Sequence, residues 1–154
     1  MDDQDITFMK EALKEAKKAY KKGEVPIGAV ITKDGKIIGR GYNSTEGEKD
    51  VTAHGEMIAI KKAEMELGSR RLNGCTMYVS TEPCTMCAGA IVLARIDRLV
   101  TGAESPKSGA CYTLKNLLCD ERLNHTVQLT KGVMEEECGE LLIGFFKEIR
   151  GKQK

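Results

Sequence analysis

The chain has 154 residues, 41% hydrophobic and 31% charged, a size and balance that fit one compact domain over residues 1–154. No apolar run approaches the roughly 20 residues of a membrane span. The acidic start Met1-Asp2-Asp3-Gln4-Asp5 is unlike a basic secretory leader, so a cytoplasmic location is the expectation. The net charge of +1 excludes any global argument for nucleic-acid binding, which has to rest on local clusters.

Ile6, Met9, Leu13, Ala16 and Tyr20 recur at steps of three and four, the apolar stripe of an amphipathic helix closed by Gly23. Its lysines, Lys14, Lys17, Lys18, Lys21 and Lys22, read as a solvated face. Residues 25–32 read as a buried strand, Asp34-Gly35 as a hairpin turn, and residues 36–43 as the returning strand. Residues 44–52 are polar and read as loop. A helix is predicted from about His54 to Leu67, a strand over 75–80, and a helix opening at Pro83 that carries Cys84, Cys87, Ile91 and Ala94 on one face. Residues 98–102 form a fourth strand, 103–113 a loop, and 126–130 a fifth strand. Cys138, Leu141, Leu142, Phe145 and Ile149 mark a last amphipathic helix. Its end carries a basic cluster, Lys147, Arg150, Lys152 and Lys154. This alternation implies an α/β fold of three layers, α/β/α, around a five-stranded mixed sheet. The sheet is expected to be mostly parallel, with the hairpin as its one antiparallel pair. Ligands in such sheets bind beyond the carboxyl ends of the strands.

Two short motifs lie at that edge. His54-Gly55-Glu56 is weak by itself. In Pro83-Cys84-Thr85-Met86-Cys87 the two thiols are three apart on a helix and share a face. A helix N-terminus favours the thiolate that a metal requires. Together the motifs offer one imidazole and two thiolates. Three protein ligands leave a position for water, as catalytic zinc does, whereas structural zinc takes four. Cys111 or His125 could supply a fourth ligand and close the site; an open site beside the Glu56 carboxylate is the more economical reading. Glu56 would take a proton from water and pass it to a leaving amine. Cys75, Cys111, Cys119 and Cys138 lack metal spacing and read as small buried hydrophobes rather than disulfides.

H-x-E followed by P-C-x-x-C resembles the signature of the cytidine deaminase superfamily of zinc deaminases. Residues 25–31 (VPIGAVI), 52–56 (TAHGE), 72–78 (LNGCTMY), 82–90 (EPCTMCAGA) and 144–150 (GFFKEIR) look like the bacterial tRNA-specific adenosine deaminases, in order and over nearly the whole chain. That resemblance implies one zinc per chain on His54, Cys84 and Cys87, with Glu56 as proton shuttle. Asn43 matches an asparagine that hydrogen-bonds the target base, although it also suits a turn closing a strand. Lys107 and Ser108 match a loop that meets the RNA backbone. Phe145, Phe146 and Arg150 match a helix lining the anticodon-loop cleft, with Phe145 equally suited to the core. Ile27, Ala53 and Thr81 complete the expected substrate wall.

The family usually has Pro-Thr-Ala-His-Ala-Glu, where this chain has Val51-Thr52-Ala53-His54-Gly55-Glu56. Thr81 stands where leucine is common, Ser105 where aspartate is usual, and Tyr112 where small residues are usual. Gly55, Thr81, Ser105 and Tyr112 are all expected where substrate choice is made. The expected reaction is hydrolytic deamination of the wobble adenosine of a tRNA anticodon to inosine. The alternatives are deamination of a free base or nucleoside, such as guanine or cytosine, and a non-catalytic zinc subunit that binds RNA or a partner. The resemblance also implies a homodimer. The 84–94 helix agrees, since Met86, Ala88, Ala90, Ile91, Val92 and Leu93 make it apolar on more than one face. Cover by a neighbouring helix is the other way to bury it.

Overall fold

The computed structural model describes residues 2–152, so Lys154 of the basic tail is outside it. Helix α1 (Asp3–Lys21) opens on Asp2, whose carboxylate accepts the Gln4 N–H, and Gly23 follows it at φ +75°. Strands β1 (Gly28–Lys33) and β2 (Lys36–Tyr42) form the hairpin. Asp34 and Gly35 both have positive φ, 51° and 76°, as its tight turn demands. β1 begins three residues later than its composition suggests, because Val25 and Pro26 lead into the sheet rather than pair within it.

A short helix, α2 (Thr45–Glu48), occupies part of the expected loop. Its cause lies elsewhere in the chain: the buried Glu24 carboxylate accepts the N–H groups of Glu46 at 3.1 Å and Gly47 at 2.7 Å. The remaining elements are α3 (Gly55–Leu67), β3 (Cys75–Thr81), α4 (Thr85–Leu93), β4 (Arg98–Ala103), β5 (Gln128–Thr130) and α5 (Glu135–Lys152). Pro83 stands two residues ahead of α4, and Cys84 is its N-cap. No described helix is long and apolar enough to cross a membrane.

The five strands lie in the order β2-β1-β3-β4-β5. β3–β4 and β4–β5 are parallel, whereas β1 is antiparallel to both neighbours. The sheet is therefore mixed in equal parts, not mostly parallel. β1 separates β2 from β3, which run in the same direction, so the α3 crossover passes over β1. That detail decides where the chemistry goes: β2 and β3 end at one edge, and the helices that follow them both start there.

Two apolar clusters flank the sheet. Ile31, Met77, Val79 and Leu99 face α3 and α4, while Val30, Tyr78 and Val100 face α1 and α5. The second face also carries a buried polar tie. Asp5 of α1 accepts from both terminal guanidinium nitrogens of Arg98, at 2.9 and 2.7 Å, and from the Tyr78 hydroxyl at 3.0 Å. Arg98 continues to Thr130 of β5 at 3.0 Å. One carboxylate thus ties α1 to three strands. The bond to Arg98 leads in holding the Asp5 carboxyl below its usual value, against the opposing effect of burial. Asp5→Asn is expected to cost roughly 2 kcal/mol at pH 7, the scale of charged hydrogen bonds. Because the folded pKa is depressed, that contribution is complete above the ordinary value of 3.8 and fades as pH falls below it. Denaturant titrations of wild type and variant check this: their stability gap should hold from neutral pH to about pH 4 and narrow below it. A gap unchanged at about pH 2 would refute the role of the charge.

Candidate active site

The site forms where α3 and α4 begin. Gly39 and Gly41 of β2 let α3 lie against the strand; a Cβ at Gly41 would collide with the Gly55 carbonyl, and one at Gly39 with that of Ala59. Asn43, at the end of β2, is buried, and its Oδ1 accepts the Gly55 N–H at 2.8 Å. The first turn of α3 is thereby fixed, with His54 as its N-cap. From β3 the chain runs through Thr81, Glu82 and Pro83 to Cys84, the N-cap of α4.

His54 Nδ1 stands 3.7 Å from Cys84 Sγ and 3.5 Å from Cys87 Sγ, and the three atoms lie within 4.8 Å of one another. A tetrahedral ion with metal–sulfur bonds of about 2.3 Å and metal–nitrogen bonds of about 2.0–2.1 Å sets these separations at about 3.5 Å. The triangle therefore has the dimensions of a metal site. The thiol pair is polarised to match. Donation from Cys87 Sγ–H leads in lowering the Cys84 pKa to about 5, and the Cys87 and Met86 N–H groups of the helix start add to it. Cys87 is pushed up by the same shared proton and by burial. A cation between the sulfurs would take that proton's place.

Glu56 lies in the first turn of α3, at the buried end of the site. It is 3% exposed, and burial raises its carboxyl to about 7. Its Oε1 has no hydrogen-bond partner. A buried carboxylate oxygen left unpaired costs stability, which points to a partner that arrives with water or ligand. The other orphan among the described residues is Thr81 Oγ1.

A cavity of about 820 Å³ opens between the 103–108 loop and α5, and its walls include none of His54, Glu56, Cys84 and Cys87. Ile27, Thr81, Lys107, Ser108 and Arg150 line it, as the sequence suggested, together with Ser105 and Phe146. A second hollow of about 380 Å³ reaches Cys84 and shares Lys107 and Ser108 with the first. Asn43 and Ala53, both expected at the substrate, are buried and line neither cavity. Phe145 also lies outside both walls: it is 4% exposed, packed edge-on against Tyr20 and Phe146. Of the two phenylalanines, Phe146 is the one on the cavity wall. Neither candidate fourth ligand joins the triangle. His125 Nε2 is 2.8 Å from the Ile96 carbonyl, and the buried Cys111 thiol points to the Pro83 carbonyl at 4.0 Å. Cys75 and Cys138 are buried as expected, but Cys119 is exposed, on an irregular stretch that offers it no apolar cover.

A family model for MafB19-like deaminases matches residues 1–150. A relative from Bacillus subtilis (strain 168), a tRNA-specific adenosine deaminase, is 54% identical over 98% of this chain and 94% of its own. The chain belongs to the MafB19-like deaminases. Within them it groups with the tRNA-specific adenosine deaminases. A solved structure from work on A-to-I editing by tRNA:A34 deaminases at the wobble position superposes with a TM-score of 0.85, at 45% identity over 88% of this chain and 99% of that one. A Bacillus subtilis guanine deaminase superposes less completely, with a TM-score of 0.62 and 43% identity over 68% of this chain and 66% of that one.

The departures of this deaminase from its family's usual residues separate into two groups. Thr81 and Ser105 do line the cavity. Tyr112 does not: its hydroxyl meets Thr101 Oγ1 at 3.1 Å and Lys131 lies over its ring. Val51 is 83% exposed on the surface. Gly55 packs against β2, where an added Cβ would stand 3.1 Å from the Gly41 carbonyl, so a larger residue there would make its neighbours give by a few tenths of an ångström. Sequence reasoning gave no role to Glu82, a buried carboxylate between two site residues. Its only signal in the chain was an acidic residue directly ahead of Pro83-Cys84.

Elemental analysis of the deaminase should find about one metal per chain, lost in Cys87→Ser and kept in Cys111→Ser. Loss should lower stability by about 3 kcal/mol, roughly 6–12 °C in Tm for a chain of this length. A metal-free wild type, or Cys87→Ser protein that keeps its metal, would contradict the site.

Proposed function

We propose that this deaminase is a single-domain, cytoplasmic zinc enzyme that converts the wobble adenosine of a tRNA anticodon to inosine. His54, Cys84 and Cys87 are its zinc ligands. The observation that carries the reading is the orphaned Glu56 Oε1, buried beside a three-ligand triangle. A closed structural metal site has no use for a costly unpaired carboxylate. Zinc in such a site supplies Lewis acidity and makes hydroxide available at neutral pH.

Glu56 manages the protons. With its carboxyl near 7 it can accept and release a proton at neutral pH. Its Oε1 would take one proton of the attacking water and pass it to the purine ring nitrogen, then carry the second, from the new C6 hydroxyl, to the amine, which leaves as ammonia. Asn43 holds α3 with its Oδ1, which leaves its NH₂ group as the donor for the base edge. The wide cavity suits a splayed RNA loop better than a lone base. Phe146 offers a face for base stacking, and Lys107 and Arg150 offer charge to phosphates.

Glu56→Gln should keep zinc and fold but lose about 10²–10⁴-fold in kcat. Near-normal turnover would rule out its role and favour a non-catalytic zinc subunit. For the substrate, the full chain and a variant ending at Ile149 should be assayed on an anticodon stem-loop and on free bases and nucleosides, at two salt concentrations. The stem-loop reaction should weaken steeply with salt and with loss of the tail, since phosphate contacts release counterions. Full activity on a free base, indifferent to both, would transfer the reading to a small substrate.

The assembly we propose is a homodimer. α4 buries Cys87, Ala88, Ile91 and Val92 within the chain but leaves Leu93 79% exposed, with open space around Gly89 on the same helix. A second copy is the partner that such a helix face fits. Light scattering at micromolar concentration should give twice the chain mass, and Leu93→Glu should shift it toward the monomer; a monomeric wild type would overturn the assembly.

A further inference from the structure

Glu82 ends β3's run into the site, and it is 3% exposed. No cation pairs with it among the described residues. Its compensation comes from one loop. Oε1 accepts the Ser105 N–H at 3.1 Å and the Thr113 hydroxyl. Oε2 accepts the N–H groups of Cys111 at 3.1 Å, Tyr112 at 2.8 Å and Thr113 at 2.9 Å. Five donors from four residues converge on two oxygens. Only an acceptor-only group can satisfy them, because a glutamine would turn an NH₂ toward donors. The 105–113 loop is thus wrapped around a carboxylate. Gly109 is part of the fit, since a Cβ there would collide with the Glu82 carboxylate.

The same loop supplies Ser105, Lys107 and Ser108 to the large cavity, and Lys107, Ser108 and Gly109 to the smaller one that reaches Cys84. Glu82 is two residues from Cys84 in the chain. One short backbone segment therefore sets both the metal ligand and the wall that meets the substrate. We propose that Glu82 is a positioning residue: its buried carboxylate holds the 105–113 loop as the substrate wall, in fixed register with Cys84. The proposal rests on the deaminase reading of the site. It adds a division of labour, in which Glu56 serves the reaction and Glu82 serves the geometry of substrate binding. Placement of this kind matters because displacements of about 1 Å cost large factors in rate or binding.

The test uses Glu82→Gln and the milder Thr113→Val, which removes one donor of the five. Metal content, Tm, hydrogen exchange by mass spectrometry, and KM and kcat on the anticodon stem-loop are measured for each. Glu82→Gln should keep its metal. Amides of 105–113 should exchange about ten-fold faster or more, while those of α1 and β1–β4 keep their protection. KM should rise about ten-fold, with a smaller change in kcat. Thr113→Val should move the same quantities in the same direction by less, and it decides the matter if Glu82→Gln does not fold. Unchanged loop exchange, exchange that rises uniformly over the chain, or a kcat loss at constant KM would each overturn the proposal. A wild type inactive on the stem-loop counts against the tRNA reading instead. The loop exchange, and KM on whichever nucleoside is turned over, then support or overturn the role of Glu82 in the same way.

Discussion

Everything at the site depends on how closely α3 approaches β2. Gly39 and Gly41 remove the side chains that would hold the helix away, and Asn43 pins its first turn through the Gly55 N–H. That contact sets His54 at the height of Cys84 and Cys87, which come from a different strand and a different helix. The reversed β1 makes the meeting possible. It separates β2 from β3 without changing their common direction, so both helix starts open on one edge. A helix start supplies free N–H groups, and Cys84 exploits them: its thiolate is stabilised by the turn it caps.

Three carboxylates show how one chain assigns different work to the same group. Asp5 meets a guanidinium and a phenol and becomes a structural tie. Glu82 meets five loop donors; burial alone would raise its pKa, but their combined hydrogen bonds outweigh burial and hold it below the usual value. Glu56 meets neither a cation nor a full set of donors, and burial leaves it near neutrality with one oxygen unspoken for. Only the last is suited to move protons at pH 7. Environment, not residue type, separates the carboxylate poised near neutrality from the two that hold shape.

Much of this was legible in the chain because the signals are local. The Asp34-Gly35 turn, the stripe of α1, and the spacing of Cys84 and Cys87 each need only neighbours in sequence. The fold class and the metal trio followed from them, and the resemblance of five segments to a deaminase family supplied the reaction. What could not be read depends on partners far away. The α2 turn exists because Glu24 reaches across to cap it. The antiparallel pairing of β1 with β3 is a choice of topology that strand composition does not encode. Tyr112 is drawn inward by Thr101, and Glu82 finds its donors 23 to 31 residues downstream. The choice between Phe145 and Phe146 turns on helix phase, which a one-residue error reverses.

The central claim is an open metal site with three protein ligands, placed beside a buried carboxylate with one oxygen left unpaired. X-ray absorption at the zinc edge of the protein as purified tests it most directly. The expected shell is two sulfur ligands at about 2.3 Å, one imidazole nitrogen at about 2.0–2.1 Å, and one light atom that is not a second imidazole. A third sulfur, which would bring Cys111 into the shell, or a second imidazole from His125 would mean a closed site, and the assignment of Glu56 to catalysis would fall with it.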